Sequence, residues 1–381
     1  MRKYKLGDIC EIVSGSTPKT GIDEYWDGDV KWITPAELND DTYIINDSVR
    51  KITELAVKKT GLSPFPEGTV ILSSRAPIGK VAIAGCKMYC NQGFKNLICS
   101  EKINNKYLYW FLKSNTDYLK SLGRGATFKE ISKGIVSEIE INVPEIRKQV
   151  ETVAILEKVS KVIALRKQEI SALDDLIKAR FVEMFGDVKH EEKYKGIPLR
   201  ELCFTMSGGT PSTKNTEYYE GNIPWITTVS LGPNHIDGST AKGYITQEAI
   251  KNSATKLIPA GNILFGTRVG VGKSSINDVD ICTNQDIIAI IGIDENRFNR
   301  VFIKHVLDDY QPYYDSLKKG ATILGITSDD LKDTLIPDAP IDVQAEFVAF
   351  VDQVDKSKVV VQKALDETKL LFDSLMQKYF G

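Results

Sequence analysis

The chain is short of everything that a metal centre, a secretory route or a membrane anchor requires. Its six cysteines (Cys10, Cys86, Cys90, Cys99, Cys203 and Cys282) form no CxxC pair, and its three histidines (His190, His235 and His305) lie far from them in sequence. Structural zinc wants four ligands at tight paired spacings, so reduced, buried thiols are the better reading. The opening MRKYKL runs straight into Gly7-Asp8 without the apolar stretch of a secretory signal, and no hydrophobic run approaches the length of a bilayer span. These absences set the expectation of a cytoplasmic protein.

Nor does either charge dominate. A total of 49 Lys and Arg against 51 Asp and Glu leaves a net charge of -2, which speaks against an indiscriminate nucleic-acid binder, because neutralising phosphates leaves a basic footprint. The average conceals an asymmetry. Residues 8–47 hold two basic and ten acidic side chains, residues 51–133 fourteen and five, and residues 242–333 eleven and twelve. The first part of the chain thus combines an acidic and a basic segment, which suits a surface facing phosphate. The later segment does not repeat this and would depend on hydrogen bonding or on help.

Reactive constellations are missing as well. Residues 266–274, GTRVGVGKS, resemble a phosphate loop, but five residues rather than four separate Gly266 from Gly272, and the matching SSRAPIGKVA lacks the first glycine. Pro337-Asp338 with Glu367-Thr368-Lys369 has the elements of a nuclease motif, yet its second part falls in a heptad-patterned segment. There is no Asp/Asn-Pro-Pro-aromatic motif for amino-methyl transfer, no GxSxG and no HExxH. No catalytic, metal or cofactor site is expected on this chain.

What is present is a duplication. Residues 6–34 align without a gap with residues 199–227 at thirteen identities in twenty-nine positions, among them Ser14-Gly15, Thr17-Pro18, Tyr25, Gly28 and Trp32-Ile33-Thr34. The offset of 193 carries Pro66, Gly68, Arg75, Gly79-Lys80, Asn91-Gln92 and Pro144 onto Pro259, Gly261, Arg268, Gly272-Lys273, Asn284-Gln285 and Pro337. At an offset of 195, Gly125-Ala126-Thr127, Gln149 and Phe185-Gly186 meet Gly320-Ala321-Thr322, Gln344 and Phe380-Gly381. So long a period lies far beyond solenoid repeats of about 20 to 50 residues. It predicts domains over 1–144 and 187–339, each followed by a connecting element over 145–186 and 340–381.

Within the first domain, Val30 to Thr34, Thr69 to Ser73 and Lys80 to Ala84 are short β-branched runs bounded by Gly, Pro and Asp, the marks of strands. Tyr107, Leu108, Phe111, Leu112 and Leu119 predict one helix over residues 105–120. The character changes after Pro144: residues 145–184 contain no Gly and no Pro. Leu156, Ile163, Ile170, Ile177 and Met184 fall seven apart, with Val159 and Leu173 three residues after two of them. The second copy presents Val351, Lys358, Leu365, Phe372 and Tyr379, flanked by Val354 and Val361. Such stripes need a partner. The two helices packed antiparallel as a coiled coil supply one, and coverage of their own domains is the alternative. The fold class is therefore α+β: two similar α/β domains separated by two long antiparallel helices.

Three pairs of loops carry the donors. Residues 68–80 and 261–273 run strand, polar tip, Gly-Lys, strand, and place Ser73, Ser74, Arg75 and Lys80 beside Thr267, Arg268 and Lys273. An arginine fork with hydroxyls and a lysine suits phosphates and guanine edges, although an ordinary solvated turn has the same composition. Residues 14–20 and 207–213 add Thr17, Lys19 and Thr210, with a Gly/Pro turn as the plain alternative. Arg124 and Thr127 pair with Lys319 and Thr322 in glycine loops. Trp32 and Trp225 sit among apolar neighbours and read as core.

As a set, Leu6-Gly7-Asp8-Ile9 with SGSTP, Trp32-Ile33-Thr34, the 68–80 hairpin, Asn91-Gln92-Gly93-Phe94, Gly125-Ala126-Thr127 and the turn from Pro144 to Gln149 resemble the specificity subunit of type I restriction-modification systems. The second copy repeats them, with Asn284-Gln285-Asp286 in place of the Gly-Phe ending. The resemblance implies that each target-recognition domain reads one half of a split, asymmetric double-stranded DNA target. It implies that the helices hold the halves apart and bind two modification subunits, which methylate adenine with S-adenosylmethionine. Restriction subunits would add an ATP- and Mg-dependent nuclease, so none of these cofactors belongs to this chain. The rival reading is a scaffold of two globular units on a helical stalk, with no DNA.

Overall fold

The structure, a computed structural model, describes residues 2–75, 77–125, 129–190, 192–319 and 324–381. The chain divides into two compact units. One comprises Met1–Lys167 with Lys363–Gly381 and the other Gln168–Gln362, so each long helix gives one half to each unit.

The two units repeat one topology. In the first, a five-stranded sheet has the order Cys10–Ser14, Phe94–Cys99, Val70–Ser73, Val81–Ala84, Ile44–Ile45, and a three-stranded sheet the order Lys51–Ile52, Trp26–Ile33, Tyr89–Cys90. In the second, the five strands are Phe204–Ser207, Ile287–Ile291, Ile263–Gly266, Ser274–Asn277 and His235–Ile236, and the three are Gly243–Ile245, Ile223–Ile226 and Cys282–Thr283. The last pair of each larger sheet is parallel and the others antiparallel. Central strands such as Val70–Ser73 are buried along their whole length, as expected for a sheet covered on both faces.

Several identities between the copies mark positions constrained by close approach or by buried hydrogen bonds. A Cβ on Gly15 would collide with the carbonyls of Asn91 and Cys90, and one on Gly208 with the Asn284 carbonyl. Trp32 and Trp225 are buried, and their indole N–H groups donate to Ser16 O at 3.0 Å and Gly209 O at 3.1 Å. Gln149 and Gln344 are clamps. The Gln149 amide accepts from Asn104 N–H and donates to Lys102 O and Pro144 O; Gln344 does the same with Asn299, Arg297 and Ala339. Each ties the start of a long helix to the start of the first helix after the sheet.

That first helix is broken, contrary to the single helix over 105–120. It runs Asn105–Ser114 and resumes as Thr116–Ser121. The Asn115 side chain donates to Phe111 O at 2.9 Å, a local bond that competes with the helical ladder. The second copy breaks between Arg300–Asp309 and Gln311–Leu317, with Pro312 in the first turn of the new segment.

The long helices span Ile146–Phe185 and Ile341–Phe380, about 60 Å each at 1.5 Å per residue. Every seam position is at least partly covered: Leu156, Ile177, Val351, Val354 and Leu365 are buried, and Ile163, Ile170, Leu173, Val361 and Phe372 half-buried. Within each unit the two halves pair antiparallel. In the first, the Arg166 guanidinium reaches the Ala364 carbonyl and the Thr368 hydroxyl. In the second, Arg180 meets Glu346 at 2.6 Å, and Lys358, the charged seam position, meets Asp174 at 2.6 Å. Burial works to lower the Lys358 pKa, but Asp174 and Asp355 outweigh it and raise it. The helices cover the domains too. Phe380 packs on Tyr107 at 5.1 Å between ring centres, and Phe185 on Phe302 at 4.7 Å.

Candidate nucleic-acid interface

In each unit the backbone ties the candidate loops edge to edge. Ser74 N–H donates to Gly93 O at 2.7 Å, and Ser74 O accepts from Ile131 N–H at 2.9 Å. The first hairpin tip is thereby held between the turn at 91–94 and the loop returning at residue 130. Thr267 does the same, donating to Asp286 O at 2.8 Å and accepting from Ile326 N–H at 2.9 Å. The segments at 14–20 and 207–213 join these clusters through Ser16 N–H to Cys90 O at 2.9 Å and Gly209 N–H to Thr283 O at 2.8 Å.

Side chains confirm that join. The Thr17 hydroxyl donates to the Gln92 amide oxygen, and Thr210 to that of Gln285 at 2.6 Å. Each glutamine keeps its amide N–H groups without a partner among the described residues. Lys19, Arg75, Arg124, Thr210, Arg268, Lys273 and Lys319 are exposed, and Thr17 and Lys80 half-buried. The Lys80 ammonium donates to the Leu38 carbonyl, which turns it inward; Lys273 has no such anchor among the described residues.

Three hydroxyls expected at the tips face inward instead. Ser73 is buried and its hydroxyl donates to Pro77 O at 2.7 Å while accepting from Lys80 N–H at 2.8 Å. Ser74 is buried and accepts from the Lys95 ammonium at 3.3 Å. Thr267 is buried and donates to Asp286 O at 3.1 Å. A buried hydroxyl is held by the fold's own partners, so these residues shape the hairpins. Thr127 and Thr322 lie outside the described residues.

The arginines carry the local electrostatics. Arg75 Nε donates to Glu130 at 2.8 Å, and the largely buried Lys95 reaches the other oxygen of Glu130 at 3.1 Å. Burial pushes the Glu130 carboxyl up, but the hydrogen bonds and charges of Arg75 and Lys95 prevail and hold it below its usual range. In the second unit Arg268 pairs with Asp286 at 3.5 Å, and Asn284 donates to the other oxygen at 3.1 Å. The sequence reading passes over Glu130 and Lys95 altogether. Gln92, Gln285 and Asp286 show in it only as identities of the repeat or a departure from them.

The phosphate-loop resemblance at 266–274 dissolves, because the chain continues as the strand Ser274–Asn277 and offers no helix N-terminus. Among the described residues no group of three or more His, Cys, Asp or Glu could hold a metal ion, and no helix is long and apolar enough to cross a membrane.

The family model for the type I restriction modification DNA specificity domain matches the chain twice, over residues 1–174 and 191–368. The chain belongs to this family. Among the members of the specificity family, the type I restriction enzyme MjaIX specificity subunit of Methanocaldococcus jannaschii is 30% identical over 395 residues, covering 98% of this chain and 91% of that one. The EcoR124I/EcoR124II specificity subunit of Escherichia coli is 34% identical over 164 residues, covering 41% and 40%. A chain from a structure describing assembly and conformational transition of the type I R-M system matches with a TM-score of 0.63 at 19% identity, over 100% of this chain and 97% of that one. The S subunit from M. genitalium matches at 0.57 and 14%, over 100% and 96%. These two likenesses establish the shared fold. As a member of the specificity family the chain is a non-catalytic DNA-recognition subunit, and the DNA-free scaffold loses its support.

Proposed function

We propose that residues 1–144 and 187–339 are target-recognition domains that each read one half of a bipartite, asymmetric DNA target. The helices at 145–186 and 340–381 set the spacer and dock two modification subunits. S-adenosylmethionine, ATP and Mg then belong to partners: the modification subunits methylate adenine, and restriction subunits, where they join, supply the ATP-dependent nuclease. Of the candidate residues, Thr17, Lys19, Arg75, Arg124, Thr210, Arg268, Lys273 and Lys319 face DNA. Phosphate contacts set register and base contacts set sequence, so lysines serve the first and the arginine forks the second.

One observation carries this reading: the same loop cluster recurs on the same sheet order in both units, while the side chains it presents differ. One frame with two tip chemistries suits two half-sites of unlike sequence. The test is base-modification sequencing of the host genome with and without this gene. Loss of adenine methylation at one split, asymmetric motif supports the reading. An unchanged pattern in cells that express the chain and its modification partner counts against it.

A further inference from the structure

The two hairpin arginines occupy equivalent positions, but the carboxylates that hold them do not. Glu130 answers Arg75, and the residue aligned with Glu130 in the second copy is Gly325. Asp286 answers Arg268, and the residue aligned with Asp286 in the first copy is Gly93. Each copy therefore has one acid and one glycine at these two positions, in opposite order.

Packing explains the glycines. A Cβ on Gly325 would lie 2.8 Å from Thr267 O and 2.9 Å from Arg268 Cγ, so no side chain fits where the first copy carries Glu130. A Cβ on Gly93 would meet Asn91 Oδ1 and Pro35 Cγ at 3.0 Å each, so an acid there would require both neighbours to give by a few tenths of an ångström. The acid is lost at one place and regained at another, and both times it reaches the same arginine. The arginine ends of both pairs are exposed, so Arg75 and Arg268 gain little stability from them, although in the first copy Glu130 also neutralises the buried Lys95.

Geometry supplies a reason. Glu130 engages Arg75 through Nε; among the described residues the two terminal nitrogens of Arg75 have no partner, which suits a bidentate contact. Asp286 lies nearest Arg268 Nη1, so the same residue is offered in a different orientation. The surroundings differ as well: Lys95 shares Glu130 in the first copy, and Ile288 stands at its aligned position in the second.

Resting on the reading of these loops as the DNA-facing surface, we propose that Glu130 and Asp286 are positioning residues that aim Arg75 and Arg268 at base edges. The shared arginine thereby reads differently in the two half-sites. The test expresses the full chain with its modification subunit in a host that lacks both, and reads the methylated motif in that host's genomic DNA. E130Q should relax one half of the motif, with methylation at mismatched sites rising roughly ten-fold, about one base contact's worth, and leave the other half unchanged. D286N should relax the other half, and E130D should preserve the motif. R75A and R268A separate the two layers. If neither alters motif nor extent, the DNA-facing reading of the arginines falls, and the proposal with it. If R75A relaxes one half while E130Q changes nothing, only the positioning role is overturned. Should E130Q abolish methylation, E130D decides: restored methylation supports the carboxylate's role, and equal loss overturns it.

Discussion

The two units share a frame but fill one part of it with opposite chemistry. Where the first helix after the sheet meets the long helices, the first unit places Trp110, 5.6 Å from Phe372 and 5.7 Å from Tyr43 between ring centres. The Tyr43 hydroxyl and Lys106 close this cluster on Glu157 at 2.6 and 2.8 Å. The aligned residue in the second unit is His305. There Asp174, Lys304, Asp308, Asp355 and Lys358 line a cavity of about 830 Å³. Their charges are paired within the unit: Lys304 with Asp308 at 2.6 Å and Lys358 with Asp355 at 3.5 Å, and Asp355 also accepts from the Asn234 amide. Trp110 Nε1 and His305 Nε2 are both buried without a hydrogen-bond partner among the described residues. The frame is thus set by the sheets, the glycine approaches and the glutamine clamps, and tolerates either an aromatic or an ionic fill.

The largest expected effect tests whether the helix ends complete both cores alike. Phe185 is fully buried and Phe380 half-buried. F185A should therefore cost about 3 to 5 kcal/mol, the usual range for a buried aromatic, and F380A clearly less. Urea unfolding of the full chain measures both, and equal losses would break the distinction.

The next concerns pH. Burial, then the neighbouring Lys304 charge, pushes the His305 pKa down to about 4 from an ordinary 6.5. Between those values the unfolded chain binds a proton that the folded chain does not, so stability falls as pH drops from 6.5 towards 4. At pH 5 the loss is about 2 kcal/mol, at roughly 1.4 kcal/mol per pKa unit. H305F should remove this part of the acid sensitivity, read as the shift in urea midpoint between pH 7 and pH 5. An unaltered shift in the variant would place the sensitivity elsewhere. The first unit, with Trp110 at this position, has no counterpart.

The smallest effect should be symmetric. T17V and T210V each remove one hydroxyl bond to a glutamine amide, which is worth about 1 kcal/mol or less. Similar small losses in the two copies would show that this pair belongs to the common frame; a large loss in one alone would assign it to that half-site.

The periodic features were legible. Seven-residue spacing reports a helix that buries one face, and Leu156 to Phe372 are indeed covered. Short β-branched runs bounded by Gly, Pro and Asp marked the hairpin strands, and the repeat gave the duplicated topology. The hydroxyls of Ser73, Ser74 and Thr267 misled, because composition marks a polar tip without saying which way each side chain turns. The break at Asn115 was hidden because an apolar pattern continues across it.

The amino-acid order by itself determined that there are two copies of one fold, each followed by a long amphipathic helix, because repeats and periodicity are properties of the chain alone. Only the tertiary structure decided which helix halves complete which core, and which acid stands beside each arginine. Glu130 and Asp286 fall at unaligned positions, 55 residues after Arg75 and 18 after Arg268. They find the same partner because the sheet brings both loops to one edge. Alignment compares positions, whereas a guanidinium responds to distance.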